Sequence, residues 1–153
     1  MNPSQYPILL VEDSPDDALL IQRAFRKANL ANPVHLVRDG EEAVGYLNGV
    51  PPWDDRTRFP LPVFMLLDLK LPRRSGLEVL AWIRQESAVK RLPVVVLTSS
   101  RESVDVNRAY DLGVNSYLTK PVGFEALVEM VKSVNLYWLV LNEYPEIHRG
   151  ERA

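Results

Sequence analysis

Leu66-Leu67-Asp68-Leu69-Lys70-Leu71-Pro72 lies near the middle of the 153-residue chain and decides how the rest is read. The apolar run from Val63 to Leu67 has the length of a buried strand, and it ends on a carboxylate. A charged group set where a strand leaves the core is costly to desolvate and marks a place for chemistry. Three other apolar runs end in matching fashion. Ile8-Leu9-Leu10-Val11 runs into Glu12-Asp13, Val94-Val95-Val96-Leu97 into Thr98-Ser99-Ser100, and Ser116-Tyr117-Leu118-Thr119 into Lys120-Pro121. Carboxylates, a hydroxyl and an ammonium therefore occupy the same relative place on four strands, with Asp68 as the group the others serve.

Outward from that run, strand and helix signals alternate. Pro7 to Val11 is a strand, followed by Ser14-Pro15-Asp16-Asp17, a helix start with an N-cap serine, a proline at the first helical position and acids in the first turn. That helix carries Ala18, Ile21, Phe25 and Ala28 on one stripe and stops near Asn29. Val34 to Val37 is a second strand. Asp39 and Glu42 stand at capping-box spacing before a helix that ends at Asn48-Gly49. Ser75 and Glu78 repeat the box for a third helix through Ile83. Val94 to Thr98 is a strand, Glu102 to Leu112 a helix closed by Gly113, Asn115 to Thr119 the last strand and Phe124 to about Asn142 the last helix. Five such strand–helix units predict an α/β fold, a parallel sheet with helices on both faces. Ligands of such open sheets bind at the carboxyl ends of the strands, where these motifs fall.

Composition narrows the classes. The length is that of one domain able to bury a proper core, and 46% hydrophobic with 25% charged residues is ordinary for a soluble globular chain. A net charge of -2 argues against a nucleic-acid surface, which needs a basic face. The absence of cysteine excludes disulfides, thiol catalysis and cysteine-ligated metals and fits a reducing compartment. Met1 to Tyr6 lacks the features of a signal peptide, and the longest apolar run, Leu136 to Leu141, is too short to span a bilayer. The expectation is a cytoplasmic protein without membrane or nucleic-acid contact.

Glu12, Asp13 and Asp68 brought together would repel one another and raise each other's pKa values unless a positive charge sat among them. A hard divalent cation answers that need, since Mg²⁺ takes carboxylates, waters and a phosphate as ligands. Lys120 adds a protein-borne cation and Thr98 a hydroxyl donor for a phosphoryl oxygen. Together they describe a phosphoryl-transfer site with Asp68 as nucleophile.

The set Glu12-Asp13, Asp68 with Pro72 and Gly76 behind it, Thr98, and Tyr117 with Lys120-Pro121 resembles the receiver domain of bacterial response regulators. The resemblance runs from about residue 6 to residue 142, the core of a single domain spanning 1–153. It implies a doubly wound, five-stranded parallel sheet in the order 2-1-3-4-5, flavodoxin-like and CheY-like. It makes Asp68 the phosphoacceptor for a kinase histidine. Asp13 and Asp68 would ligate Mg²⁺, or Mn²⁺ in its place, with Glu12 holding a metal-bound water and the Lys70 main-chain carbonyl a further ligand. Thr98 and Lys120 would bind the phosphoryl oxygens, Tyr117 would be the switch aromatic, and the Lys120–Pro121 bond would be cis. Ser99 stands where many relatives carry alanine or glycine. The long loop before Asp68, the Val-Glu-Asp-Ser-Pro-Asp-Asp opening and the extended last helix look most like single-domain regulators paired with bacterial phytochromes.

Other features stay open. Residues 50–62, with four prolines and no periodicity, form either a surface insertion pinned by Trp53 and Phe59 or a partner-contacting loop. Lys70, Arg73 and Arg74 are a solvated loop or a patch that steers a phosphodonor. His35 and His148 lack a metal-ligand partner and read as surface or edge residues. Leu136-Tyr137-Trp138-Leu139-Val140-Leu141 is apolar all round, so a homodimer or partner surface including Tyr137, Trp138 and Leu141 is expected, extended by Val106 and Tyr110 on the fourth helix. Residues 143–153 read as a polar, loosely ordered tail. With no output domain expected, signalling would pass by contact through a changed surface of the fourth helix, fifth strand and fifth helix to a downstream protein. No enzyme activity beyond self-dephosphorylation is expected. The rival reading is a non-phosphorylated interaction or dimerisation module. An Asp-x-Asp phosphohydrolase fits poorly because position 70 is lysine.

Overall fold

In the computed structural model, residues 6–147 are described. Strands β1 (Ile8–Val11), β2 (Val34–Val37), β3 (Phe64–Leu67), β4 (Val94–Thr98) and β5 (Ser116–Thr119) alternate with helices α1 (Pro15–Lys27), α2 (Gly40–Asn48), α3 (Gly76–Gln85), α4 (Ser103–Asp111) and α5 (Phe124–Asn135). All strand pairs are parallel, in the order β2-β1-β3-β4-β5. The doubly wound sheet expected from the sequence is therefore the one found.

The three central strands are apolar on both faces because helices cover both. Leu9, Val11, Met65, Leu67, Val94 and Val96 point into one core, shared with Tyr46 of α2, Val79 and Ile83 of α3 and Ala109 of α4. Ile8, Leu10, Phe64, Leu66, Val95 and Leu97 point into the other, shared with Ile21 and Phe25 of α1 and Leu127 and Val131 of α5. Local caps start the helices where the sequence predicts. Ser14, Asp39 and Ser75 each accept a hydrogen bond from the backbone N–H three residues on, and Ser75 with Glu78 completes a capping box. Gly49 closes α2 at φ 70°, in the left-handed region.

Gly76 ties α3 to the site. A Cβ there would run into the carbonyl of Asp68 and the Cα of Leu69, so only glycine lets the helix start lie against the end of β3. Its N–H donates to the Leu69 carbonyl at 2.9 Å.

Several expectations need correction. The last helix is α-helical only to Asn135 and continues as a π-helical segment, Leu136–Leu141. Trp138 does not join an outer surface: it is 9% exposed and packs in the α1–α5 core. It stands seven residues beyond Val131, on the same inward stripe, so the run is not apolar towards solvent on all sides. The tail read as loosely ordered from Glu143 folds back as far as it is described. The Tyr144 hydroxyl donates to the Leu139 carbonyl at 2.8 Å, and Ile147 is buried in the α2–α4 core. One apolar residue after a polar stretch has no periodicity to reveal it. Among the described residues the cis peptide bond is Pro51–Pro52, so Lys120–Pro121 is trans, the intrinsic preference of an X–Pro bond.

The loop at 50–62 is fastened to the body. Trp53 and Phe59 pack on the core, and the Arg56 guanidinium donates to the carbonyls of Leu47 at 2.8 Å and Phe59 at 3.0 Å. His35, on edge strand β2, is half-buried, and its Nδ1 lies 2.8 Å from the Tyr46 hydroxyl, which donates to the Pro60 carbonyl. His148 lies outside the described residues. No helix among the described residues is long and apolar enough to cross a membrane.

If Trp138 belongs to the core, Trp138→Ala should cost about 3 kcal/mol. Val140→Ala, at a position 71% exposed, should stay within about 0.5 kcal/mol of wild type. Urea unfolding followed by circular dichroism measures both; equal effects would contradict the packing.

Candidate phosphoacceptor site

The site lies at the carboxyl ends of β1, β3, β4 and β5, at the point where the sheet order reverses. Backbone pairing brings the ends together: Glu12 N donates to Val37 O at 3.0 Å, Asp68 N to Val11 O at 3.1 Å, and Lys120 N to Thr98 O at 2.8 Å. Carboxylate oxygens of Glu12, Asp13 and Asp68 lie within 4.8 Å of one another, with Glu12 and Asp68 buried and Asp13 exposed.

The Lys120 ammonium sits among these acids. Its Nζ lies 2.7 Å from Glu12 Oε1, 2.8 Å from Asp17 Oδ2 and 3.1 Å from Asp68 Oδ2. Burial acts to lower the lysine pKa, but hydrogen bonds to Asp17 and Glu12, with the Asp68 and Glu12 charges, outweigh it and hold it above the ordinary value. Burial pushes the Glu12 carboxyl up to about 7, against the Lys120 hydrogen bond, and the Asp68 charge pushes the same way. A buried acid with that bias is one a cation would relieve. Three carboxylates within 4.8 Å are oxygen donors fitting a hard divalent ion, and Glu12, Asp13 and Asp68 would hold it.

Thr98 is fully buried, and its Oγ1 accepts weakly from Ser100 N at 3.5 Å. Tyr117 is half-buried, and its hydroxyl donates to the Ser100 carbonyl at 3.0 Å. Ser100 in turn donates its hydroxyl to Asp105 of α4 at 2.6 Å. Lys70 is exposed, and its N–H approaches Asp68 Oδ1 at 3.4 Å. Arg73 and Arg74 pair with Asp39 at 3.3 Å and Glu41 at 2.8 Å, so they brace the start of α2 rather than stand free.

The structure thus gathers Glu12, Asp13, Asp68, Thr98 and Lys120, with Tyr117 one strand over. Away from this end, Tyr110 of α4 and Leu136, Tyr137, Val140 and Leu141 are exposed, while Val106 is half-buried. Sequence reasoning missed Asp17 and the Ser100–Asp105 pair. Asp17 read only as a first-turn acid of α1; its distance of 103 residues from Lys120 in the chain left no local signal.

Comparison with known proteins agrees with this geometry. The profile of the response regulator receiver domain matches residues 8–132. The chain is 43% identical over 138 residues to the "Probable methanogenesis regulatory protein FilR2" of Methanothrix harundinacea, covering 90% of this chain and 86% of that one. It is 41% identical over 132 residues to the response regulator Rcp1 of Synechocystis sp., covering 86% and 88%. A crystal structure of Rcp1 with bound Mn²⁺ superposes with a TM-score of 0.82 at 39% identity, covering 92% of this chain and 99% of that chain. The crystal structure of RcpA, a phosphorylated cyanobacterial phytochrome response regulator, superposes at 0.84, also at 39% identity, covering 93% and 99%. With the profile spanning most of the chain and relatives above 40% identity, the chain belongs to the response regulator receiver domain family.

Proposed function

We propose that this protein is a phosphorylation-operated switch that accepts a phosphoryl group from a histidine kinase on Asp68 and signals by contact with other proteins. The observation that carries the reading is the Asp68 carboxylate, buried at the end of β3, 3.1 Å from Lys120 Nζ and clustered with Glu12 and Asp13. Asp68 Oδ attacks the phosphorus of a phosphohistidine; the new O–P bond forms as the P–N bond breaks, and the imidazole leaves with the electron pair and takes up a proton. Lys120 and Thr98 donate to the phosphoryl oxygens. Glu12, Asp13 and Asp68 would hold a divalent cation, which would neutralise charge between the anionic reactants. The similarity to a phytochrome response regulator supports a phytochrome kinase as the donor. An interaction module without phosphorylation has no use for a lysine enclosed by carboxylates, which disfavours the rival reading.

Readout follows from the sheet. Thr98 lies on the face of Val94 and Val96, and Tyr117 pairs in register with Val96, so both face α4. A Thr98 hydroxyl drawn to a phosphoryl oxygen opens space beside Tyr117, and the ring and the Ser100 loop adjust together. The exposed Leu136, Tyr137, Val140 and Leu141 support a homodimer surface on the last helix.

The phosphoacceptor is tested by incubating the protein with acetyl phosphate and Mg²⁺ and weighing it intact. Wild type should gain one phosphoryl group and Asp68→Asn none, and EDTA should abolish the gain; labelling of Asp68→Asn at the wild-type rate would remove Asp68 from its role.

The output surface is tested by sedimentation equilibrium. A dimer is expected at micromolar concentration, weakened by about tenfold or more in Leu141→Glu, since a charge would be buried unpaired. Beryllofluoride should shift the association constant by about five- to 150-fold, the usual range of such coupling. Thr98→Ala should lose most of that shift; a full shift in the variant would mean the signal leaves Asp68 by another route.

A further inference from the structure

The Lys120 ammonium has three protons and three carboxylate partners, and the partner it must serve is the most distant. Glu12 at 2.7 Å and Asp17 at 2.8 Å hold it more closely than Asp68 at 3.1 Å. Glu12 is part of the acid cluster, whereas Asp17 is not: it belongs to α1, and its side chain is 42% exposed. We propose that Asp17 is a positioning residue that holds the Lys120 ammonium back from Asp68 and so weakens the site's grip on a phosphoryl group. The inference rests on the phosphoacceptor reading and adds to it a residue that sets how tightly the phosphoryl group is held.

Lys120 does not need Asp17 to stay in place. Its side chain is 15% exposed, and Glu12 and Asp68, with side chains 1% and 9% exposed, bind two of its protons. Asp17 therefore adds two effects at the site, in the same direction. It occupies the third proton, which a phosphoryl oxygen would otherwise take, and it places another negative charge beside a group that becomes more anionic on phosphorylation. Both act against the phosphoryl group. Asp17 lies in the first turn of α1, where a negative charge suits the helix dipole, and its N–H donates to the Ser14 hydroxyl at 3.3 Å. Removing its charge keeps the helix cap and leaves the fold intact, because the cap uses the Asp17 backbone and the Ser14 side chain.

The test is the dissociation constant of beryllofluoride with Mg²⁺, read by fluorine NMR on the full chain for wild type, Asp17→Asn, Asp17→Glu and Asp16→Asn. Asp17→Asn should bind about three- to tenfold more tightly at low salt, the scale of a partly exposed charge interaction, and the gain should shrink in 1 M NaCl. Asp17→Glu should stay near wild type. Asp16→Asn removes the same charge from an exposed neighbour and should change binding by less than about twofold. Unchanged or weaker binding by Asp17→Asn, or an equal gain in Asp16→Asn, would overturn the role of Asp17. Failure of wild type itself to bind beryllofluoride would overturn the phosphoacceptor reading, and this inference with it.

Discussion

Everything at the carboxyl end of the sheet depends on one ammonium placed among carboxylates that repel one another. Glu12 and Asp68 are buried, and each would cost several kcal/mol to desolvate alone. An opposite charge about 4 Å away returns on the order of 4 kcal/mol per pair at the effective dielectric of a protein surface. The cluster with Lys120 therefore roughly breaks even and is no source of stability. It persists because the flanking strands are held by the two apolar cores, and because the Lys120 N–H pairs with the Thr98 carbonyl and fixes where the side chain begins. The fold supplies the free energy, and the site holds an excess of negative charge that a divalent cation would offset.

This division explains what the sequence could reveal. Strands apolar on both faces, serine and aspartate caps and a closing glycine are local signals, and they placed the five strands to within a residue or so. The acid pair after β1, Asp68 after β3 and the lysine after β5 are equally local, since each directly follows a strand. Asp17 was not legible because its partner is distant in the chain and first-turn acids are common for reasons of helix polarity alone. Trp138 was legible but misread: its seven-residue spacing from Val131 carries the inward stripe onward, and five apolar neighbours masked it. Ile147 had no pattern at all, only a place to be buried once the sheet existed.

The parallel register also limits how a change at Asp68 can travel. β4 is flanked by β3 and β5, so movement at Thr98 meets Asp68's strand on one side and Tyr117's on the other. On the Asp68 side the backbone is jammed against Gly76 and α3, where not even a methyl group fits. On the Tyr117 side the neighbours are a hydroxyl pinned to a loop carbonyl and a loop pinned to α4 by a single serine. The Tyr117 side is therefore held by fewer contacts than the Asp68 side.

The exposed apolar residues of the last helix then stand in a particular relation to the Tyr117 side. α4 shares its core with α2 and α3, whereas α5 packs with α1 on the opposite face, so the two helices meet only across the edge strand β5. On β5, Tyr117 packs against the core of α4 and Leu118 against that of α5. A partner that covered only Leu136, Tyr137, Val140 and Leu141 would bind the α5 side and feel little of the Ser100 loop. A partner that also lay over Tyr110 and the edge of β5 would contact both sides of that strand. If the state of Asp68 is read through β5, as proposed, the reach of an interface around that strand matters more than the apolar surface it buries.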